Sequence, residues 1–208
     1  MMALVLKDLM TIQRQLKTQA FFLLFILFIA IFMQQGPMLF AFITFIAAMQ
    51  AITVLTYDEL CNWDKFANTL PITKSDIVLS KYLLGIALML MGLTIALPFA
   101  FLINQFADNA DTMDLFVIFS LIATAAFCML ALLLPIYIKF GSVKGRMVLI
   151  GVCFVPVFLY GLLENHIAQF LPKLLELQNL SYFAPIIGLV ILWLSSLIST
   201  AIYERKDF

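Results

Sequence analysis

His166 is the single histidine of this 208-residue chain. One imidazole does not make a zinc site of the usual His/Cys kind, and no HExxH is present. Ser195, Ser196 and Ser199 fall in the last apolar run without a Gly-x-Ser-Gly arrangement. A serine nucleophile there would need a histidine base at matched depth, and His166 is expected on the outer face as a solvated interfacial residue. Cys61, Cys128 and Cys153 have no metal spacing and read as small apolar residues. The stretch Gly141–Arg146, GSVKGR, lacks the spacing and the Lys-Ser/Thr end of a phosphate-binding loop. The chain is therefore not expected to be an enzyme or to carry a metal or cofactor. If ATP drives it, the ATPase is another chain.

The remaining polar residues inside apolar runs are mild. Gln50 and Thr53 are one turn apart, with Thr56 and Tyr57 below them. Such a stripe either joins helices by hydrogen bonds or lines a translocation path. Mid-membrane Asp, Glu, Arg and His, the usual parts of ion-coupled carriers, are essentially absent from the runs. A path walled by Phe, Leu and Thr would suit an amphipathic or lipid-like cargo better than an ion.

The elements that hold these residues are set by composition. Hydrophobic residues make up 64% and charged residues 12%, with mean hydropathy +1.10. Soluble domains carry roughly 25% charge, so lipid must solvate this chain. Net charge is zero, which implies no nucleic-acid partner. The first 18 residues carry three basic side chains and no small-residue cleavage site follows, so no signal peptide is expected. A span needs about 20 apolar residues. Six runs approximate that length: 19–33, 37–56, 77–104, 113–138, 147–163 and 182–203. Pro98, Pro135, Pro156 and Pro185 are candidate kinks or helix ends. Eleven of the twelve Lys and Arg residues fall on one side of this pattern, Lys173 being the exception. Basic loops stay cytoplasmic. The expected fold is thus an all-α, polytopic membrane protein of six transmembrane helices with both termini cytoplasmic.

Three segments outside the spans carry further information. In 1–18, Met2, Val5, Leu6, Leu9, Ile12 and Leu16 recur at helical spacing and Lys7, Arg14 and Lys17 lie largely on other faces. This suits a helix lying in the inner-leaflet interface. In the cytoplasmic connection 57–82, Trp63, Phe66 and Leu70 form a short amphipathic helix stopped by Pro71, and Ser75 caps the third span without a capping box. This helix either docks in a groove of another protein or anchors the loop to the membrane interface. In 164–180, Ile167, Phe170, Leu171 and Leu174 recur around Pro172, as one or two short helices on the outer leaflet.

The ordered run Tyr57-Asp58-Glu59, Trp63-Asp64, Leu70-Pro71-Ile72-Thr73-Lys74, Ile77-Val78 and Lys81-Tyr82, with Leu4, Lys7 and Asp8 ahead of it, resembles the permease subunits of type 2 ATP-binding-cassette exporters. It is most similar to the bacterial phenol-soluble-modulin and bacitracin-type export permeases. The resemblance implies a single transmembrane domain over residues 1–208, with a connecting helix at 1–18, a cytoplasmic coupling loop at 57–76 and short extracellular helices at 164–180. It assigns ATPase coupling to Asp58, Glu59, Trp63, Phe66, Leu70 and Pro71, and leaves Gln50, Thr53 and Thr56 as candidates for the path. It implies a cytoplasmic ATPase subunit that carries ATP and Mg, a second permease chain, identical or not, and a place in the bacterial cytoplasmic membrane. The expected activity is export of an amphipathic peptide, such as a toxin or antimicrobial, with antimicrobial resistance as a consequence. Alternatives are a lipid-like or small-molecule cargo, or a scaffold or sensor that recruits a cytoplasmic partner without transport.

Overall fold

The computed structural model describes the backbone of residues 2–13, 16–67, 69, 71, 73–106, 112–175 and 183–205. The side chains of 2–3, 16–17, 64–65, 106, 112–114 and 152–175 lie outside that description. The described elements are all helical: α1 (Met2–Gln13), α2 (Leu16–Met33), α3 (Gly36–Leu60), α4 (Trp63–Ala67), α5 (Lys74–Phe106), α6 (Thr112–Leu175) and α7 (Ala184–Glu204).

Four of these helices, α3, α5, the Leu115–Gly151 part of α6, and α7, are long and apolar enough to cross a membrane; α1 with α2 makes a fifth if the bent pair is one span. The six expected spans are therefore met in part. The difference has two sources. First, α2 qualifies only together with α1, which turns away from it by 67°. Second, the expected fourth and fifth spans fall within one helical assignment, α6, and beyond Gly151 its side chains are outside the described residues. The expected outer segment 164–180 is helical as far as Leu175 and otherwise lies outside the described residues, as do the side chains of His166 and Lys173.

Within α6 the chain does not run straight. Gly141 has φ +77°, a left-handed conformation that residues with a Cβ rarely adopt. A Cβ on Gly145 would lie 3.0 Å from Cγ of Tyr137, although in a straight helix residues eight apart are separated by about 12 Å along the axis. Leu149 also packs with Ile52 and Tyr137. The expected connection 139–146 is thus a sharp turn that folds the second leg of α6 back on the first.

Prolines act as their positions dictate. Pro37 and Pro185 stand in the first turns of α3 and α7, where a missing N–H costs nothing. Pro98 and Pro135 are passed by continuous helices. The cap of α5 differs from the expected one: the backbone N–H of Asp76 donates to Thr73 Oγ1 at 3.2 Å, and the Thr73 hydroxyl donates to Asp76 Oδ2 at 2.7 Å. Thr73, not Ser75, is the N-cap. With Asp76 three residues on, it holds one of the free N–H groups of the first turn.

The core lies where α3, α5, α6 and α7 meet, around Ala48, Ala51, Met89, Leu130, Leu134 and Leu192. Small residues on α3 bring α5 close. At the opposite end a Cβ on Gly36 would overlap the carbonyl oxygen of Ala100, and the Gly36 N–H donates to Asn104 Oδ1 at 3.2 Å. A buried polar node joins three helices: the Tyr82 hydroxyl lies 2.8 Å from Ser195 Oγ and 2.6 Å from Ser199 Oγ, and Ser195 Oγ donates to the carbonyl of Ala131. These serines join helices. The large exposed side chains of α2 (Phe21, Phe25, Phe28, Phe32) and of α7 (Val190, Trp193, Leu197) are apolar, as lipid contact requires.

Candidate functional site: a charged joint at one end of the bundle

The last turn of α3 places two carboxylates side by side, and each reaches a different neighbour. Asp58 turns inward. Its Oδ1 accepts from Lys7 Nζ of α1 at 2.7 Å, and its Oδ2 is paired with Lys81 Nζ of α5. Lys81 also bonds Asp8 Oδ2 at 2.7 Å, and Lys7 Nζ lies 2.9 Å from Asp8 Oδ1. Two acids and two bases thus form a closed, formally neutral cluster. Asp8 is fully buried, with Asp58 and Lys81 nearly so. Burial works to lower the pKa of Lys7, but the hydrogen bonds and charges of Asp58 and Asp8 outweigh it and raise the pKa above the ordinary 10.5.

Glu59 turns to the other side. Its Oε2 accepts the backbone N–H of Ser142 at the α6 turn. A Cβ on Gly141 would sit 2.7 Å from Glu59 Oε1, so glycine at this position both supplies the positive φ and leaves room for the carboxylate. A cavity of about 90 Å³ lies between the two arrangements, with Asp58, Glu59, Lys81, Ser142 and Tyr203 among its lining.

The short helix α4 begins four residues after Glu59. Trp63 is half-buried against the core, its ring 5.4 Å from that of Phe66 and 4.0 Å from Lys7 Nζ. Phe66 is 55% exposed, and Pro71 is exposed. Leu70 lies outside the described residues. The expected amphipathic helix is thus five residues long, and its aromatic pair is divided: Trp63 holds α4 to the protein, and Phe66 faces out. Lys7, expected near lipid headgroups, is engaged by protein instead.

Of the path candidates, Thr53 and Thr56 line a cleft of about 400 Å³ between α3 and α6, along with Ile52, Tyr57, Tyr137 and Arg146. Their hydroxyls donate back to the carbonyls of Met49 and Ile52. Gln50 is not among the cleft's lining. It is buried, and its Oε1 has no hydrogen-bond partner among the described residues.

α1, the end of α3, the start of α5, the α6 turn and the end of α7 all gather at this end of the bundle, the last through Lys74 Nζ, which donates to the carbonyl of Glu204 at 3.1 Å. The described basic residues Lys7, Lys74, Lys81, Lys139, Lys144, Arg146 and Arg205 lie on these elements. Sequence reasoning singled out Asp58, Glu59, Lys7, Asp8 and Lys81 in separate segments and did not pair them. Two aspartates and two lysines at the ends of otherwise charge-poor apolar runs were the available signal.

No curated protein and no solved structure shows a significant match to the chain. A family model described as ABC-2 family transporter protein matches residues 3–204, which takes in every element of the joint. The chain therefore belongs to the ABC-2 transporter family, as a multi-pass membrane permease whose ATP hydrolysis is carried by a separate ATP-binding-cassette subunit.

Proposed function

We propose that this permease exports an amphipathic peptide across the bacterial cytoplasmic membrane, with the joint end and both termini in the cytoplasm. It works as a pair of permease chains, identical or not, with cytoplasmic ATPase subunits that hold ATP and Mg. The resemblance of the run Tyr57 to Tyr82 to the phenol-soluble-modulin and bacitracin-type branch supports this reading. The observation that carries the reading is α4, which offers the exposed Phe66 ring at the end of the bundle richest in Lys and Arg. An exposed aromatic on a short helix fits a groove on a partner, and Pro71 is exposed after it. The cleft lined by Thr53 and Thr56, largely apolar with a few hydroxyls and the Arg146 guanidinium, suits an amphipathic cargo; Gln50, buried beside it in sequence, would face the path only after helix movement.

The test is co-purification of the permease from its native membranes with a cytoplasmic ATP-binding-cassette subunit, followed by ATP turnover with and without an amphipathic helical peptide. Export predicts a stable complex whose turnover rises with peptide. A partner without ATPase activity would instead favour a scaffold or sensor. Turnover that responds to lipid or a small drug but not to peptide would move the cargo class.

A further inference from the structure

We propose that the cleft between α3 and α6 is a binding site for one anionic phospholipid of the inner leaflet, with its phosphate on Arg146 and one acyl chain along Ile52, Met49 and Leu149. The proposal rests on the cytoplasmic placement of the joint end only for the choice of leaflet. It gives the cleft a resident that a cargo would have to displace.

The cleft is graded in polarity along its length. α3 runs toward the joint end, so Thr56, Tyr57 and Leu60 stand at the charged end of the cleft and Met49, Ile52 and Thr53 stand deeper. Arg146 enters at the same charged end, just past the turn at Gly141, and Leu149 lies about one turn beyond it. The floor is packed: Ile52 and Tyr137 are buried together, with Met49 and Leu149 against them. Met49 and Leu60 are eleven positions apart, or about 16 Å along a helix. One leaflet contributes roughly 15 Å of hydrocarbon. A soluble anion would use only the charged end. An amphiphile with its headgroup at the interface and a chain pointing to the bilayer centre uses the whole length. The volume of about 400 Å³ is too small for an entire lipid but falls within the roughly 300–1,000 Å³ of small-ligand sites. It fits a headgroup and the upper part of one chain.

The charges select an anion. Arg146 is the one charged side chain among the described residues that line the cleft, and it takes part in no ion pair among the described residues. A guanidinium holds phosphate oxygens in a bidentate fork. The Thr53 and Thr56 hydroxyls donate to the carbonyls of Met49 and Ile52, which leaves their oxygens as acceptors. Such acceptors suit the hydroxyls of a glycerol headgroup and find no donor on a choline. Lys139 and Lys144 stand near the same turn but do not line the cleft, and Lys139 lies over the Phe140 ring. A basic surface attracts anionic headgroups diffusely, so Lys144, which is exposed like Arg146, is the control that separates a site from a surface.

The test is native mass spectrometry of the delipidated full chain with dioleoyl phosphatidylglycerol or dioleoyl phosphatidylcholine added. One phosphatidylglycerol per chain is expected to stay bound, about tenfold or more tighter than phosphatidylcholine, the size of one charge-assisted contact. Arg146→Gln should bring the two lipids to equal retention, and Lys144→Gln should not. Thr53→Phe, which fills the cleft and leaves the charge alone, should also weaken phosphatidylglycerol. Millimolar inorganic phosphate should not displace the lipid. Equal retention of the two lipids by the wild type overturns the proposal and needs no variant to fold. Equal losses from Lys144→Gln and Arg146→Gln would overturn it in favour of diffuse attraction, and displacement by inorganic phosphate in favour of a plain anion site. Undiminished binding in Thr53→Phe would show that the lipid sits elsewhere. No arm uses the ATPase or a peptide, so failure here leaves the export reading standing.

Discussion

Gly141 carries two demands at once, a left-handed φ and space for the Glu59 carboxylate. A Cβ in that conformation costs about 1–2 kcal/mol, and the clash with Glu59 adds to it. Gly141→Ala is expected to lower the thermal midpoint in detergent, and Glu59→Ala in the same chain to recover only the part due to the clash. Thr73→Ala should cost about 1 kcal/mol through loss of the α5 cap, whereas Ser75→Ala should cost less; comparing the two melting curves checks which residue caps. Lys7 supplies a pH signature. Its pKa is raised in the folded chain, so its contribution to stability is complete below the ordinary value of 10.5 and is lost as pH rises through the higher folded value. Lys7→Met should therefore remove an alkaline loss of stability that the wild type shows, as followed by thermal melts at rising pH.

Helices were legible because apolar length is a local property of sequence: α3, α5 and α7 coincide closely with three expected runs. What was not legible depends on partners far along the chain. Lys7 and Asp58 are 51 residues apart and Asp8 and Lys81 are 73 apart; no spacing rule pairs them. The same holds for Trp63, whose inward turn is decided by Lys7 and the core rather than by its i, i+3 relation to Phe66. Thr73 and Ser75 both fit a cap by residue type, and only the backbone geometry separates them. The fourth connection was readable from its basic residues, yet its realisation as a glycine turn clamped by Glu59 needed the tertiary structure. At this scale Tyr82→Phe is expected to cost roughly 0.6 to 1.7 kcal/mol, the range for interhelical hydrogen bonds in membranes, by removing the hydroxyl that bridges Ser195 and Ser199. Unfolding in mixed micelles would measure it.

At the scale of the whole molecule, one end is charged, polar-bonded and rich in Lys and Arg, and the body is apolar with broad exposed faces of Phe, Leu and Ile. On the proposed reading α4, which carries the exposed Phe66, is the element at this end that meets the ATPase. The aromatic pair is divided: Trp63 packs against the core and Lys7, and Phe66 is exposed and is the residue proposed to dock. Trp63→Ala should therefore lower the stability of the chain itself, while Phe66→Ala should leave the melting curve unchanged. The most direct test of the account is capture of the ATPase by the Phe66→Ala permease, purified from membranes beside the wild type. The account predicts full membrane insertion, an unaltered melt and loss of most of the bound ATPase. Wild-type ATPase recovery from Phe66→Ala would contradict it.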